Sequence, residues 1–211
     1  MKNLILIGAG DFSLEIWSWL HDAEGYSTQF IFKGFLDDNP SALSKFDFCN
    51  FHILGNVDEY VVQDEDVFIC AIGNPIVKEK VTNIIIDKGG VFVNLIHKSV
   101  IMFNNITLGE GIVISPNCII SNSCVIGNHV SLNFSCTLGH NANIGNYCQV
   151  NSQCDVTGYV ALGDKVFLGS RVSLIPNVKV LDNIVIGAGS VVFKSLENQG
   201  TYIGNPARKL L

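Results

Sequence analysis

Acid–base chemistry near neutral pH falls first to histidine, whose unperturbed imidazole titrates there. The chain has five histidines. His140 stands inside SCTLGHNANIGNY, Ser135–Tyr147, and no Asp, Glu, Lys or Arg occurs between Gly111 and Cys154. An imidazole in so uncharged a stretch is either a turn residue or a general base without an ionised partner. Its neighbour Asn141 can orient the ring by a hydrogen bond but cannot stabilise imidazolium as a carboxylate does. His129 lies nearby in sequence, but no third histidine follows in this half, so a zinc centre of converging imidazoles is not expected. His21, His52 and His97 lie in or beside the first hundred residues and read as surface or satisfied side chains.

The elements that must hold His140 are visible as a repeat. Stepping by six from Leu108 gives Ile114, Ile120, Ile126, Leu132, Leu138, Ile144, Val150, Val156, Leu162, Leu168, Leu174, Val180, Ile186 and Val192, without an insertion. Two positions before many of these stand small or β-branched residues, among them Ile112, Cys118, Cys124, Val130, Cys136, Ala142, Cys148 and Cys154. The position after the aliphatic is often Gly, Ser, Asn or Thr, Gly139 among them, and reads as the corner of a coil. A six-residue unit with one bulky and one small inward position describes a left-handed parallel β-helix of triangular section. Three units make a coil of 18 residues, so Gly158 stacks above His140 and Asn122 below it, about 4.8 Å apart. A glycine amide one coil from an outward imidazole is a plausible oxyanion donor beside a base.

The same register explains the thiols. Seven cysteines form no CxxC pair, and five of them occupy the small inward slot, where they act as core. A zinc site built from Cys136 and His140 would need an inward thiolate to swing outward. With a strand-like pattern starting at Met1 and an odd cysteine count, the chain reads as a cytoplasmic protein with reduced thiols. Charged residues make up only 15% and net charge is −6, which argues against nucleic acid or an anionic membrane as main partner. Small pyrophosphate ligands stay open, since backbone amides can bind them.

The first hundred residues alternate strand and helix. Lys2–Ile7 reads as a strand, Gly8-Ala9-Gly10 as a tight turn, Phe12–His21 as a helix and Phe30–Leu36 as a strand ending at Asp37-Asp38. A strand at Val67–Ile72, the turn Gly73-Asn74-Pro75, a helix through Asp87 and a strand at Val91–Asn94 follow. The pattern implies a small parallel α/β sheet, a half-Rossmann unit, with ligand groups clustered beyond the strand ends at Gly8, Gly10, Asp37, Asp38, Gly73 and Asn74. The third glycine of a dinucleotide fingerprint is missing, and Asp11 places a charge there instead.

GAG at 8–10, FLDD at 35–38, AIGN at 71–74, the uninterrupted hexads and the closing GNPARKL at 205–211 together resemble the NeuD/PglD family of sugar acyltransferases. The resemblance implies two domains, 1–100 for the nucleotide-sugar and 101–211 for acyl transfer with a short C-terminal tail. It further implies a homotrimer with acetyl-CoA in the groove between neighbouring helices, no metal, and a product used in surface glycans such as lipopolysaccharide O-antigen. Residue by residue, it implies that His140 is the base, with Asn141 where relatives carry an acidic residue. It places Asn133 and Asp37-Asp38 toward the nucleotide-sugar, and Gly8, Gly10, Gly73 and Asn74 around it. Gln149 would approach the thioester, the Gly158 amide would face its carbonyl, and Ser170 and Ala188 would offer backbone contacts to the pantetheine arm. Lys194 and Arg208 could meet coenzyme A phosphates. The function expected is acetyl-CoA-dependent N-acetylation of a nucleotide-linked amino sugar, a 4-amino-4,6-dideoxyhexose. O-acetylation of sialic acid and a non-catalytic scaffold are the alternatives.

Overall fold

The computed structural model describes residues 1–46 and 51–210, so Cys49 lies outside the described residues. The chain divides into two compact units, Met1–His97 and Lys98–Leu211.

In the first unit, strands β1 (Lys2–Ile7), β2 (Phe30–Leu36), β3 (Ile53–Gly55), β4 (Asp66–Cys70) and β5 (Val91–Phe92) pair in the order β3-β2-β1-β4-β5. All these pairings are parallel. Helix α1 (Asp11–Trp19) follows β1, and α2 (Pro75–Asp87) follows β4. The central strand is an apolar run, Leu4–Ile7, wholly buried, as expected of a parallel sheet covered on both faces. Strand order reverses between β1 and β4, so the crevice beyond their carboxyl ends is the natural ligand position. The sequence pattern gives β1 and β2 with their observed bounds. It misses β3, a three-residue edge strand joined to β2 across a register shift.

The second unit is a left-handed parallel β-helix. Two-residue strands stack at 18-residue intervals, for example Thr137 beside Asp155 and Leu138 beside Val156. One face carries six such strands, from Ile101–Met102 to Val191–Val192. The hexad aliphatics point inward: all from Ile114 to Val192 are buried, and Leu108, at the first coils, is half-buried. Each contributes about 1.5–3 kcal/mol by leaving water, so the repeat supplies the core of this unit.

The corners lie elsewhere than the small residues suggest. Every sixth residue from Asn105 to Gly189 has positive φ, and the only glycines among them are Gly111 and Gly189. These left-handed residues stand three after the aliphatic. Asn141 (φ 59°) is therefore the corner, and Gly139 is not. Asn adopts this conformation more readily than most residues, which gives Asn141 a local reason to be there. Gly139 is small for another reason: a Cβ there would stand 2.5 Å from the Gly158 nitrogen of the next coil.

Candidate active site

His140 precedes the left-handed corner, and its side chain is exposed. Three neighbours fix its ring. The Asn141 carboxamide nitrogen lies 3.1 Å from Nδ1. The Tyr159 ring stands edge-on, centroids 5.0 Å apart and planes at 86°. Gly158 lies against the ring itself: a Cβ on Gly158 would be 2.9 Å from Cε1 and 3.0 Å from Nε2. Only a glycine leaves room for the imidazole in this position.

The amides around this corner differ from those of another corner. There, side chains one coil above accept from successive backbone N–H groups: Asn128 from Glu110, Asn146 from Asn128, Asp164 from Asn146 and Asp182 from Asp164, at 2.7–2.9 Å. In the His140 column the pattern starts, with Asn122 Oδ1 accepting from Asn104 N–H. It then stops: the His140 ring makes no such bond with the Asn122 N–H, and Gly158 and Pro176 have no side-chain acceptor to offer. Among the described residues the Gly158 N–H makes no hydrogen bond, although the residue is buried. A buried unpaired amide costs free energy, and beside an imidazole it is suited to receive a developing oxyanion.

The carboxamide at 141 also bears on the tautomer. A carboxylate presents only acceptors and so keeps the proton on Nδ1. Asn141 can present either nitrogen or oxygen, and Nε2 is free to act as base only when the oxygen accepts from Nδ1–H.

A separate groove of about 610 Å³ is lined by Ser152, Gln153, Ser170, Arg171, Ala188 and Gly189. Ser170 and Ala188, expected along the pantetheine arm, thus come together. Arg171, which sequence reasoning missed, reaches Gln153 through its Nε at 2.8 Å. This groove follows the left-handed column Gln153–Arg171–Gly189, whereas His140 sits at the column of Asn141 and Tyr159. Within one chain they are different corners of the prism. A further cavity of about 320 Å³ is lined by Phe193, Lys194, Asn205, Pro206 and Arg208, which places both expected cations on one rim.

Other expected residues are placed differently. Gln149 is buried at 1% exposure within the single chain, with Nε2 donating to Asn151 Oδ1 at 3.3 Å. Asn133 is buried as well and donates to Asn151 Oδ1 at 3.4 Å, while its own Oδ1 has no partner. His129 is buried, packed beneath Gly111 and stacked on Tyr147, centroids 5.1 Å apart.

The five inward cysteines are free and buried, each thiol within 3.0–3.2 Å of a carbonyl 15 residues on, as Cys136 Sγ is of Asn151 O. The flanking thiols Cys118 and Cys154, with burial, push Cys136 up, which keeps it a protonated thiol and a poor metal ligand. Among the described residues no group of three or more His, Cys, Asp or Glu side chains could hold a metal ion.

In the first unit, a cavity of about 410 Å³ is lined by Ala9, Gly10, Asp37, Asn39, Ser41, Ala42, Ser44 and Lys45. A second of about 150 Å³ involves Gly8, Asp37 and Asp38. Gly8 (φ 96°) needs its conformational freedom, and a Cβ on Gly10 would meet nothing within 4 Å, leaving the backbone open to a ligand. Asp37 is partly committed: its carboxylate accepts from Ala9 N–H at 2.7 Å and from Asn39 N–H at 2.8 Å, bracing the glycine turn. Asn74 is the N-cap of α2, its oxygen accepting from Ile76 and Val77 N–H, and neither Gly73 nor Asn74 lines these cavities.

A small parallel α/β unit joined to a left-handed hexapeptide β-helix, with an imidazole set over a glycine of the next coil, defines the class of protein. More particularly, residues 3–85 match the family model of the PglD N-terminal domain, and the resemblance to the NeuD/PglD family read from the sequence is thereby borne out. No curated protein matches the chain by sequence. Among solved structures, the chain is similar to the acetyltransferase domain of PglB from Neisseria gonorrhoeae FA1090, with 20% identity, all of both chains covered and a TM-score of 0.87. It is also similar to WeeI from Acinetobacter baumannii AYE, with 21% identity, full coverage of both chains and a TM-score of 0.87. PerB from Caulobacter crescentus, solved with CoA and GDP-perosamine, shares 23% identity over all of this chain and 98% of its own, with a TM-score of 0.88. These likenesses establish the fold.

Proposed function

We propose that the protein is an acetyl-CoA-dependent N-acetyltransferase that acts on a nucleotide-linked amino sugar, a 4-amino-4,6-dideoxyhexose destined for surface glycans. The observation that carries this reading is the His140 imidazole lying against Gly158 of the next coil, whose N–H makes no hydrogen bond among the described residues. The complex of PerB with CoA and GDP-perosamine supports the substrate class.

In the reaction, with the Asn141 carboxamide turned so that its oxygen accepts from Nδ1–H, Nε2 of His140 takes a proton from the neutral sugar amine as its nitrogen attacks the thioester carbonyl carbon. The carbonyl electrons move onto oxygen, where the Gly158 N–H stabilises the charge. Collapse re-forms the carbonyl, breaks the C–S bond and releases the thiolate, which accepts the proton held by His140. No covalent enzyme intermediate and no metal is needed. An amine is a better nucleophile than a hydroxyl and tolerates a base without a carboxylate partner, so Asn141 favours N- over O-acetylation.

The acyl donor is assigned to the groove of Ser170, Arg171 and Ala188, with its phosphates toward Lys194 and Arg208. Because that groove and His140 occupy different corners of one prism, the reading calls for a homotrimer in which one copy's corner meets another's groove. The nucleotide is assigned to the first unit, around Gly8, Gly10, Asp37 and Asp38, and the protein to the cytoplasm. No described helix is long and apolar enough to cross a membrane.

The test is thiol release from acetyl-CoA across UDP-, dTDP- and GDP-linked amino sugars, with sialic acid as hydroxyl control. Turnover of an amino sugar supports the reading. Turnover of sialic acid alone moves the assignment to O-acetylation, and no release with any acceptor leaves a scaffold.

A further inference from the structure

Two histidines and two tyrosines occur in the hexad array between Leu108 and Val192, and each tyrosine contacts one histidine from the coil above. The two pairs differ in kind. His129 is buried and stacks face to face with Tyr147, whereas His140 and Tyr159 are both exposed, with Tyr159 at 56%. Tyr159 therefore packs no core. Its left-handed φ of 60° is also one that an aromatic residue adopts at a cost.

What the ring touches is the imidazole. An exposed histidine is free to rotate about both side-chain torsions unless neighbours hold it, and at this corner the hold from an ionised partner is absent. Asn141 engages Nδ1, Gly158 leaves the space into which the ring leans, and Tyr159 closes the remaining side edge-on. An edge-to-face aromatic contact is a directional interaction, strong enough to bias one rotamer by several-fold. The bond from Tyr159 N–H to His140 O, 3.0 Å, is of the kind that left-handed corner residues make to the coil below, and it sets the register that brings the two rings together.

We propose that Tyr159 is the positioning residue of the active site, its ring holding the His140 imidazole in the reactive rotamer where an acidic neighbour is lacking. The inference rests on His140 acting as the base. It assigns Tyr159 no proton transfer, so the ring is required and the hydroxyl is not.

The experiment compares Tyr159→Asn and Tyr159→Phe in the intact protein. Tyr159→Asn keeps a residue suited to left-handed φ, so its melting temperature should match or exceed that of the wild type. Its kcat should fall about ten-fold, with KM for acetyl-CoA unchanged. Tyr159→Phe should stay within about two-fold of wild type, and adding Asn141→Asp to Tyr159→Asn should recover most of the loss. Wild-type kcat in Tyr159→Asn, or equal losses in Asn and Phe, overturns the proposal. A second readout is independent of turnover: the Cε1–H proton resonance of His140, assigned by its disappearance in His140→Ala. That resonance should move in Tyr159→Asn and stay in Tyr159→Phe, and an unmoved resonance in Tyr159→Asn overturns the proposal even where no acceptor is turned over. Absence of turnover in the wild type counts against the acetyltransferase reading instead.

Discussion

The imidazole of His140 fills the space that a side chain at Gly158 would need, with an ideal Cβ there only 2.9 Å from Cε1 and 3.0 Å from Nε2. Residue 158 does not have positive φ, so Ala is compatible with its backbone. Gly158→Ala should therefore fold normally and push the ring out of place. A displacement near 1 Å in a reacting group costs about 10²-fold, and that loss is expected in kcat with an unaltered melting temperature. A variant that melts normally and turns over at the wild-type rate shows that the ring position is immaterial.

His140 itself should carry the proton transfer. General-base catalysis contributes roughly 10²–10⁴-fold, so His140→Ala should lose at least about 10² in kcat/KM for the best amino-sugar acceptor. KM for acetyl-CoA should change little, because in this reading the groove of Ser170, Arg171 and Ala188 holds the donor and the imidazole does not. Retention of most of the activity removes His140 from the mechanism and leaves the corner amide as the candidate for what remains.

Asn141→Asp tests the missing charge. A carboxylate beside Nδ1 stabilises imidazolium and fixes the proton on Nδ1, leaving Nε2 as base. The acid limb of the kcat/KM profile should move to higher pH than in the wild type. Movement to lower pH contradicts the idea that an anionic neighbour strengthens this base. Asp also tolerates left-handed φ, so the corner at 141 should stay folded.

The hexad was legible because its inward aliphatics recur without an insertion, and burial follows that period residue by residue. Gly139 shows where reading by residue type fails: smallness there serves clearance between coils, and the true corner falls on Asn141. The difference is invisible in one dimension, since clearance depends on what lies 18 residues away. Asn74 has a structural role that the reading as a ligand group leaves out. It precedes a proline and a helical pattern, the signature of an N-cap, and the cap consumes its oxygen. Tyr159 carried no signal in sequence, because its contact with His140 exists only once the coils stack.

Nor was the polar triangle of the first unit visible. Asp66 is buried at the start of β4, its carboxylate accepting from Lys33 Nζ and from Tyr60 O–H, both at 2.7 Å, and from Gln63 N–H at 3.1 Å. Burial alone would raise its pKa, but the hydrogen bonds from Lys33, Tyr60 and Gln63 outweigh it and hold the carboxyl below its usual value. A depressed folded-state pKa means stability that is present above the unfolded carboxyl's pKa and lost as pH falls through the folded one. Asp66→Asn removes the charge from both strong contacts and should destabilise the protein by about 2 kcal/mol near pH 7. Below the carboxylate range the wild-type Asp66 is protonated too, so the gap between wild type and variant should close as pH falls. Urea titrations at neutral and acidic pH measure this directly. A gap that stays constant across that range assigns the loss to packing and not to the charge on Asp66.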